Sequence, residues 1–177
     1  VTDPLGHVTT MTYDAYGRML TQTDALSHTQ STIVYNGYGL PTSSTNALGN
    51  ATTFSYDSYG NVTTVTDPLS RVVETNTFNS VGQRLTTKNA MNEQSSFVYN
   101  SNGDCTSVTD PLSKQTTMAY DSLGRVTSAT DPLLHTGVTS YDEWGRPILM
   151  TFPGGASATR SFDREDNVTS EIDENGH

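Results

Sequence analysis

The sequence has little of three things on which many folded domains depend: cysteine, basic residues and long apolar runs. Its one cysteine, Cys105, cannot form a disulfide within the chain, and it occupies a position held elsewhere by Met19, Val62 and Val126. We therefore interpret Cys105 as a small apolar side chain and not as a reactive thiol. No apolar run approaches the ~18 residues that a membrane-spanning helix needs, so no membrane span is expected.

Acidic residues outnumber basic ones, and apolar residues are few. The chain has 9 Lys and Arg against 19 Asp and Glu, which gives a formal net charge of −10. Nucleic acids and anionic membranes both require a basic surface, so neither is expected as a partner. The apolar fraction of 33% predicts a thin core. Thirty threonines favour half-exposed β-structure over helix.

Two short motifs alternate along the whole sequence. The first is an aromatic residue followed by Asp or Asn, and its aromatic recurs every 21 or 22 residues, at Tyr13, Tyr35, Tyr56, Phe78, Tyr99, Tyr120, Tyr141 and Phe162. The second reads Asp-Pro-Leu-Gly in its fullest form and begins at Asp3, Asp24, Asn46, Asp67, Asn89, Asp110, Asp131, the degenerate Phe152, and Asp173. A fixed period in this range indicates a repeat architecture. We interpret residues 1–177 as a single array of about eight repeats. Both ends fall in the same phase of the repeat, which indicates a segment of a longer array.

Together the two motifs place a turn signal every ten to twelve residues. In Asp3-Pro4-Leu5-Gly6 the Asp can accept the amide two residues on, Pro pre-sets φ and Gly closes a type I turn. In the Tyr-Asp copies the Gly is expected to be the left-handed residue of a bulge that closes a hairpin. The predicted turn residues are Asp3, Gly6, Asp14, Gly17, Asp57, Gly60, Asp67, Asp110, Asp121, Gly124, Asp142 and Gly145.

Asn replaces Asp at five of these turns, at positions 36, 46, 79, 89 and 100. Either residue can cap a turn, whereas a catalytic carboxylate could not be replaced in this way. We therefore predict that Asp121→Ala destabilises the chain and that Asp121→Asn is nearly neutral. Gly124→Val should cost more, because a β-branched residue is strained at positive φ.

The segments between turns have the length and composition of strands. The sequence therefore predicts an all-β fold, a repeat array of antiparallel hairpins that forms a curved or spiralling strip. Apolar residues two apart, such as Phe54 and Tyr56, or Met118 and Tyr120, place the eight motif aromatics in an apolar stripe on one face.

Three finer expectations follow from the spacing. The two 22-residue steps carry their extra residue before Tyr35 and before Phe78, which predicts a bulge in each of those segments. Val62 and Val65 are three apart and can share a face only if a bulge follows the turn Gly. The turn leucines, of which Leu112 is one, are expected to fold under the turn against the neighbouring hairpin.

The alternation of Tyr-Asp-x-x-Gly-Arg, a Val/Thr-rich strand and Asp-Pro-Leu-Gly resembles the YD-repeat or RHS (rearrangement hot spot) family. Full copies of the first motif begin at Tyr13, Tyr120 and Tyr141, while Leu40, Asn61, Gln83, Asp104 and Asn167 replace the Arg in other copies. The family includes bacterial toxins, wall-associated proteins and teneurins. The resemblance implies wall material of a hollow β-shell, with the rest of that shell or an encapsulated toxin domain as partner. It also implies an extracellular, cell-surface or exported location. The family's C-terminal core and toxin domain have no counterpart here.

The sequence gives little indication of a metal-binding or catalytic site. His7, His28, His135 and His177 all lie four residues after a turn Asp, but equivalent residues of neighbouring hairpins lie ~9–10 Å apart, too far to share one metal ion. The acidic residues between Asp163 and Glu174 do not follow the order of a calcium-binding loop. We expect no metal, no cofactor and no catalysis.

Two functions remain open. The first is a non-catalytic structural segment of an RHS-type shell, serving encapsulation or scaffolding. The second is a carbohydrate-binding surface of a cell-wall-associated protein, with a polysaccharide as partner, suggested by aromatic residues at the turn tips: Tyr16, Tyr38, Tyr59 and Trp144. The isolated segment is also expected to self-associate, through its open strand edges or its apolar face.

Overall fold

The computed structural model describes residues 1–177, and the chain consists of strands and turns without a helix. The strands are β1 (Thr10–Tyr13), β2 (Met19–Thr23), β3 (Thr29–Tyr35), β4 (Pro41–Asn46), β5 (Ala51–Tyr56), β6 (Val62–Thr66), β7 (Val72–Phe78), β8 (Arg84–Asn89), β9 (Gln94–Tyr99), β10 (Cys105–Thr109), β11 (Gln115–Tyr120), β12 (Val126–Thr130), β13 (Thr136–Tyr141), β14 (Pro147–Thr151), β15 (Ser157–Phe162) and β16 (Val168–Ile172). They fall into two compact units, Val1–Gln94 and Ser95–His177.

In each unit the strands follow one another in sequence order. In the first unit each strand from β1 to β8 pairs antiparallel with the next. In the second unit the same holds from β9 to β16. The predicted all-β fold class, built from antiparallel hairpins, is confirmed.

The Tyr-Asp hairpins close as the sequence predicts. In the first of them Gly17 donates its amide to the Asp14 carbonyl over 3.1 Å, and Asp14 donates to the Arg18 carbonyl over 3.0 Å. Gly17 has φ of 78°. This is a type I turn followed by a left-handed bulge residue, a loop whose twist matches that of the flanking strands.

Five of the Asp-Pro-Leu-type turns place a side-chain-bearing residue in the left-handed position. Ser27, Ser70, Asn92, Ser113 and Leu134 have φ between 61° and 67°. The turn conformation is therefore kept where Gly is absent, at the cost of a steric clash between Cβ and the backbone.

This difference gives a matched pair of stability predictions. A Cβ at Gly124, where φ is +77°, would lie 3.4 Å from the Asp104 Oδ1. We expect Gly124→Val to lower the free energy of unfolding by about 2 kcal/mol. Leu134→Gly relieves the equivalent strain, and we expect it to raise that free energy by about 0.5 kcal/mol after the greater flexibility of Gly in the unfolded chain is subtracted. Urea denaturation followed by circular dichroism measures both. If both substitutions changed the free energy of unfolding by the same amount and in the same direction, the left-handed backbone at these two positions would not be what limits the choice of residue.

Both predicted kinds of bulge are present. Tyr56 pairs with Val62 and Ser55 with Thr64, so Thr63 is the extra residue. Phe54 pairs with Val65, so Val62 and Val65 lie opposite two residues of the apolar stripe and share its face.

The 22-residue steps are explained in the same way. Gln22 pairs with Ser31 and Thr23 with Thr29, which leaves Gln30 as the extra residue before Tyr35. Val73 is left over in the same manner before Phe78. An inserted residue is absorbed locally, so the faces of the later strands are unchanged.

The core is thin. Ala158 is the one buried apolar residue, and Asn76 and Ser107 are the buried polar ones. In β11 the residues on the stripe face, Met118 and Tyr120 among them, are half-buried, while those between them are exposed. Burial is thus one-sided, as expected for a strip with no second layer.

The expectation for the turn leucines is wrong. Leu5, Leu26, Leu48, Leu69, Met91, Leu112 and Leu133 are 71–84% exposed. At Leu112 the backbone amide donates to the Asp110 Oδ1 over 2.9 Å, which fixes the residue at the tip of the turn. A single layer places nothing beyond that tip to cover the side chain.

Candidate functional site

The feature that recurs along the chain is a side-chain cap on each turn that begins with Asp or Asn. At Asp121, Oδ1 accepts the amides of Leu123 over 2.9 Å and Arg125 over 3.0 Å. Its other oxygen, Oδ2, accepts the Arg125 Nε over 2.6 Å. All sixteen Asp and Asn turn residues accept the same two backbone bonds, including each predicted turn Asp. The capping role predicted from the sequence is therefore present in the geometry.

The choice between Asp and Asn matches the residue four positions later. Every turn Asp is followed at that position by a side chain that can donate a hydrogen bond: Arg, His, Lys or Asn. At three of the five turns with Asn, its Nδ2 donates instead: from Asn79 to Gln83 over 2.7 Å, from Asn89 to Glu93 over 2.6 Å and from Asn100 to Asp104 over 2.9 Å. No turn Asn is followed by a cationic side chain.

We did not foresee this pairing from the sequence, although its signal was there. The four histidines considered as metal ligands occupy the partner position, and three of them lie within 3.3 Å of the preceding Asp carboxylate: His7, His28 and His135. No group of three or more His, Cys, Asp or Glu side chains comes together in a way that could hold a metal ion.

Ten of the turn carboxyl groups have a lowered pKa: Asp3, Asp14, Asp24, Asp57, Asp67, Asp121, Asp131, Asp142, Asp163 and Asp173. For Asp121 the bond from the Arg125 amide lowers the pKa most, desolvation opposes it, and the Arg125 side chain lowers it further. For Asp142 desolvation is the largest influence and raises the pKa, but the bonds from Arg146 together outweigh it. These caps therefore favour the ionised carboxylate.

Four tyrosines of the apolar stripe fasten their hairpin to the one before it. Between β4 and β5 the backbone ladder stops at Ser43 and Thr53. Beyond that point the Tyr56 hydroxyl donates to the Pro41 carbonyl over 2.6 Å. Equivalent bonds run from Tyr35 to Met19, from Tyr120 to Cys105 and from Tyr141 to Val126. Desolvation raises the pKa of the Tyr56 and Tyr120 hydroxyls.

The other stripe aromatics are placed as follows. Phe78, Tyr99 and Phe162 are half-buried, while Tyr13, in the first strand, is 53% exposed. Seven of the eight stripe residues are thus partly covered, although none is fully buried.

Three arginines of the Tyr-Asp turns, Arg18, Arg125 and Arg146, contact the hairpin that follows their own. Arg146 caps its own turn through Asp142, places its guanidinium 4.7 Å from the Phe162 ring centre, and donates to the Asp163 carbonyl over 2.7 Å. Arg125 repeats the arrangement with Tyr141 and Asp142. Arg125 and Tyr141 thus join the same two consecutive hairpins, one side chain from each of them.

The four tip aromatics lie where the sequence predicts, at the exposed ends of turns. Tyr16, Tyr38, Tyr59 and Trp144 are 68–93% exposed. Tyr38 and Tyr59 line one groove of about 430 Å³, together with polar groups that include Asn36 and Asp57. Trp144 lines a groove of about 510 Å³ with Arg146, Arg164 and Asp166. The chain has no helix that could span a membrane.

Comparison with solved structures identifies the fold. The crystal structure of TcdB2-TccC3 matches with a TM-score of 0.73 and 15% identity, over 95% of this chain and 11% of that chain. The same pair without its hypervariable C-terminal region gives 0.71 and 12%, over 93% and 10%. The Photorhabdus luminescens Tc holotoxin pore, with a TccC3 mutation, gives 0.56 and 12%, over 97% and 12%. The chain therefore spans about a tenth of the length of these solved chains.

A search of curated proteins gave no match. The family model described as RHS Repeat matches residues 1–29, 35–72 and 99–134, which is more than half of the sequence. The matched segments include capped turns, the fastening tyrosines Tyr35, Tyr56 and Tyr120, and Arg125. The chain belongs to the RHS repeat family.

Proposed function

We propose that this chain is a non-catalytic wall segment of an RHS-type shell, in which it encloses or supports a toxin domain of an exported bacterial protein. The observation that supports this most is the hairpin junction. Hairpins in both compact units are tied to a neighbour by a tyrosine or arginine side chain as well as by backbone pairing. Such ties stiffen the array along its length, which a wall requires.

The ion pairs at the turns also support a structural role for the chain. The charged groups at the turns are used in pairs within each hairpin, and the guanidinium groups reach the next hairpin. The solved structures with this fold include complexes with TccC3. By analogy, the partners of this chain are further repeats of its own shell and an enclosed domain.

Electron microscopy of the natural protein that contains residues 1–177 tests the proposal. We expect a hollow particle with β1 to β16 in its wall. A solid or rod-shaped particle would overturn the proposal.

Chemical labelling can then assign the two faces of the wall. In a Cys105→Val background, Met118→Cys places a thiol on the stripe face and Ala119→Cys places one on the opposite face, one residue apart. We expect a PEG-maleimide too large to enter a shell to modify Ala119→Cys in the native protein, and Met118→Cys only after denaturant opens the particle. Equal labelling of the two variants in native protein would contradict an inward-facing stripe.

A second candidate function is glycan binding, because Tyr38 and Tyr59 line one groove with polar groups beside them. Aromatic faces and adjacent amide and carboxylate groups are common features of sugar sites. Titration with cell-wall polysaccharides decides between the two functions. Binding that is lost in Tyr59→Ala but kept in Leu69→Ala, an exposed residue of the opposite set of turns, would favour this function.

A further inference from the structure

Two stripe aromatics, Phe78 and Phe162, are phenylalanines, and at Phe78 a different residue supplies the hydrogen bond that a tyrosine would make. The stripe aromatic that ends β7 is Phe78, which has no hydroxyl to donate. In other hairpins the tyrosine donates to the carbonyl of the residue that begins the preceding strand, Pro41 in β4 or Cys105 in β10. The equivalent acceptor for a residue at position 78 is the carbonyl of Val62, which begins β6. The backbone ladder between β6 and β7 stops at Thr64 and Thr75, so that carbonyl has no ladder partner on this side.

Asn76 occupies that place. Its Nδ2 donates to the Val62 carbonyl over 3.1 Å and to the Glu74 Oε1 over 2.7 Å. Asn76 lies two residues before the aromatic. Five other hairpins carry an apolar residue there, at Met11, Ile33, Phe54, Phe97 and Met118, and two carry Thr139 and Arg160. Asn76 is 3% exposed, the most buried polar side chain of the chain. A buried amide in an apolar stripe is costly unless it serves a buried partner.

We propose that Asn76 and Phe78 are a compensating pair, in which the Asn76 amide replaces the tyrosine hydroxyl that fastens the other hairpins. The replacement is incomplete, because the Asn76 Oδ1 is buried and has no hydrogen-bond partner. A tyrosine hydroxyl makes the same bond without a second polar atom to satisfy. The pair Met and Tyr, as at Met118 and Tyr120, would therefore suit this position better than the natural pair.

A double-mutant cycle in the full 177-residue chain tests the proposal. Asn76→Met removes the donor to Val62 and should lower the urea midpoint. Adding Phe78→Tyr to that variant should restore the bond and raise the folding equilibrium constant about fivefold. In the natural background Phe78→Tyr should change the folding equilibrium constant much less, because Asn76 already donates a hydrogen bond to the Val62 carbonyl. An equal effect of Phe78→Tyr in both backgrounds would overturn the proposal.

Two further measurements separate the specific bond from general packing. Phe162→Tyr, a control in another hairpin, should have the same effect with and without Asn76→Met. The phenol introduced by Phe78→Tyr in the double variant should titrate with a raised pKa in ultraviolet absorbance, as desolvation raises it for Tyr56 and Tyr120. A phenol that titrates normally would count against the bond. Should Asn76→Met alone fail to fold, recovery in the double variant gives equal support, and its failure to fold overturns the pairing.

Discussion

The free energy of unfolding is expected to fall steeply as the pH is lowered from about 5 to about 2. Ten turn carboxyl groups have a folded-state pKa below the ordinary value of 3.8. A group with a lowered folded-state pKa stabilises the fold fully above its unfolded pKa. That contribution is lost as the pH falls through the lower folded value. Because ten of the turns carry such a cap, the hairpins that they close weaken within the same pH interval.

Urea midpoints measured across this pH range test the expectation. The matched control is the double variant Asp67→Asn/Arg71→Gln, which replaces one ionised cap with the neutral pair found at Asn79 and Gln83. Its midpoint should depend less on pH than that of the natural chain. A midpoint that stays constant between pH 5 and pH 2 would show that the carboxylates act as neutral caps and that their ionisation is irrelevant to stability.

Local sequence signals were enough to predict the hairpins. Asp, Pro and Gly specify each turn within four residues, and the alternation of residues such as Phe54 and Tyr56 specifies which face is apolar. The bulges before Tyr35 and Phe78 also followed from counting residues. These features depend on neighbours in sequence, which the repeat displays many times over.

The features that escaped prediction depend on what lies across a junction. Nothing within a single turn indicates that Leu112 remains uncovered, because that depends on whether another layer lies beyond it. Similarly, Asn76 looks like a misplaced polar residue until the carbonyl of Val62 is found beside it. The tip aromatics are exposed at the turns, but exposure alone does not specify a ligand.

The pairing between each turn Asp or Asn and the residue four positions later is local in sequence, but we did not predict it. It is local, since it spans four residues, yet it becomes visible only when the two carboxylate oxygens are assigned separate tasks. Oδ1 is occupied by two backbone amides at every turn, so only the second atom of the side chain can respond to the partner. That second atom is an acceptor in Asp and a donor in Asn.

This division of tasks changes the expectation for Asp121→Asn, which turn capping alone predicts to be nearly neutral. The new Oδ1 must still accept the amides of Leu123 and Arg125, so Nδ2 takes the place of the oxygen that now accepts the Arg125 Nε over 2.6 Å. Two donors then face each other, and the guanidinium must move. It would leave its position 4.7 Å from the Tyr141 ring centre and its bond to the Asp142 carbonyl. We expect a clearly lower urea midpoint, because both the cap and the junction to the next hairpin are weakened.

Asp57→Asn is the matched control, since Asn61 can rotate its amide and present its oxygen to the new donor. We expect its midpoint to stay close to that of the natural chain. The reverse substitution, Asn100→Asp, should be as damaging as Asp121→Asn, because it sets a carboxylate against that of Asp104, where a 2.9 Å hydrogen bond now exists. Arg125→Gln should destabilise less in the Asp121→Asn background than in the natural chain, since Gln can accept from Asn as Gln83 does from Asn79. If Asp121→Asn and Asp57→Asn had equal midpoints, the partner four residues on would play no part in the choice between Asp and Asn.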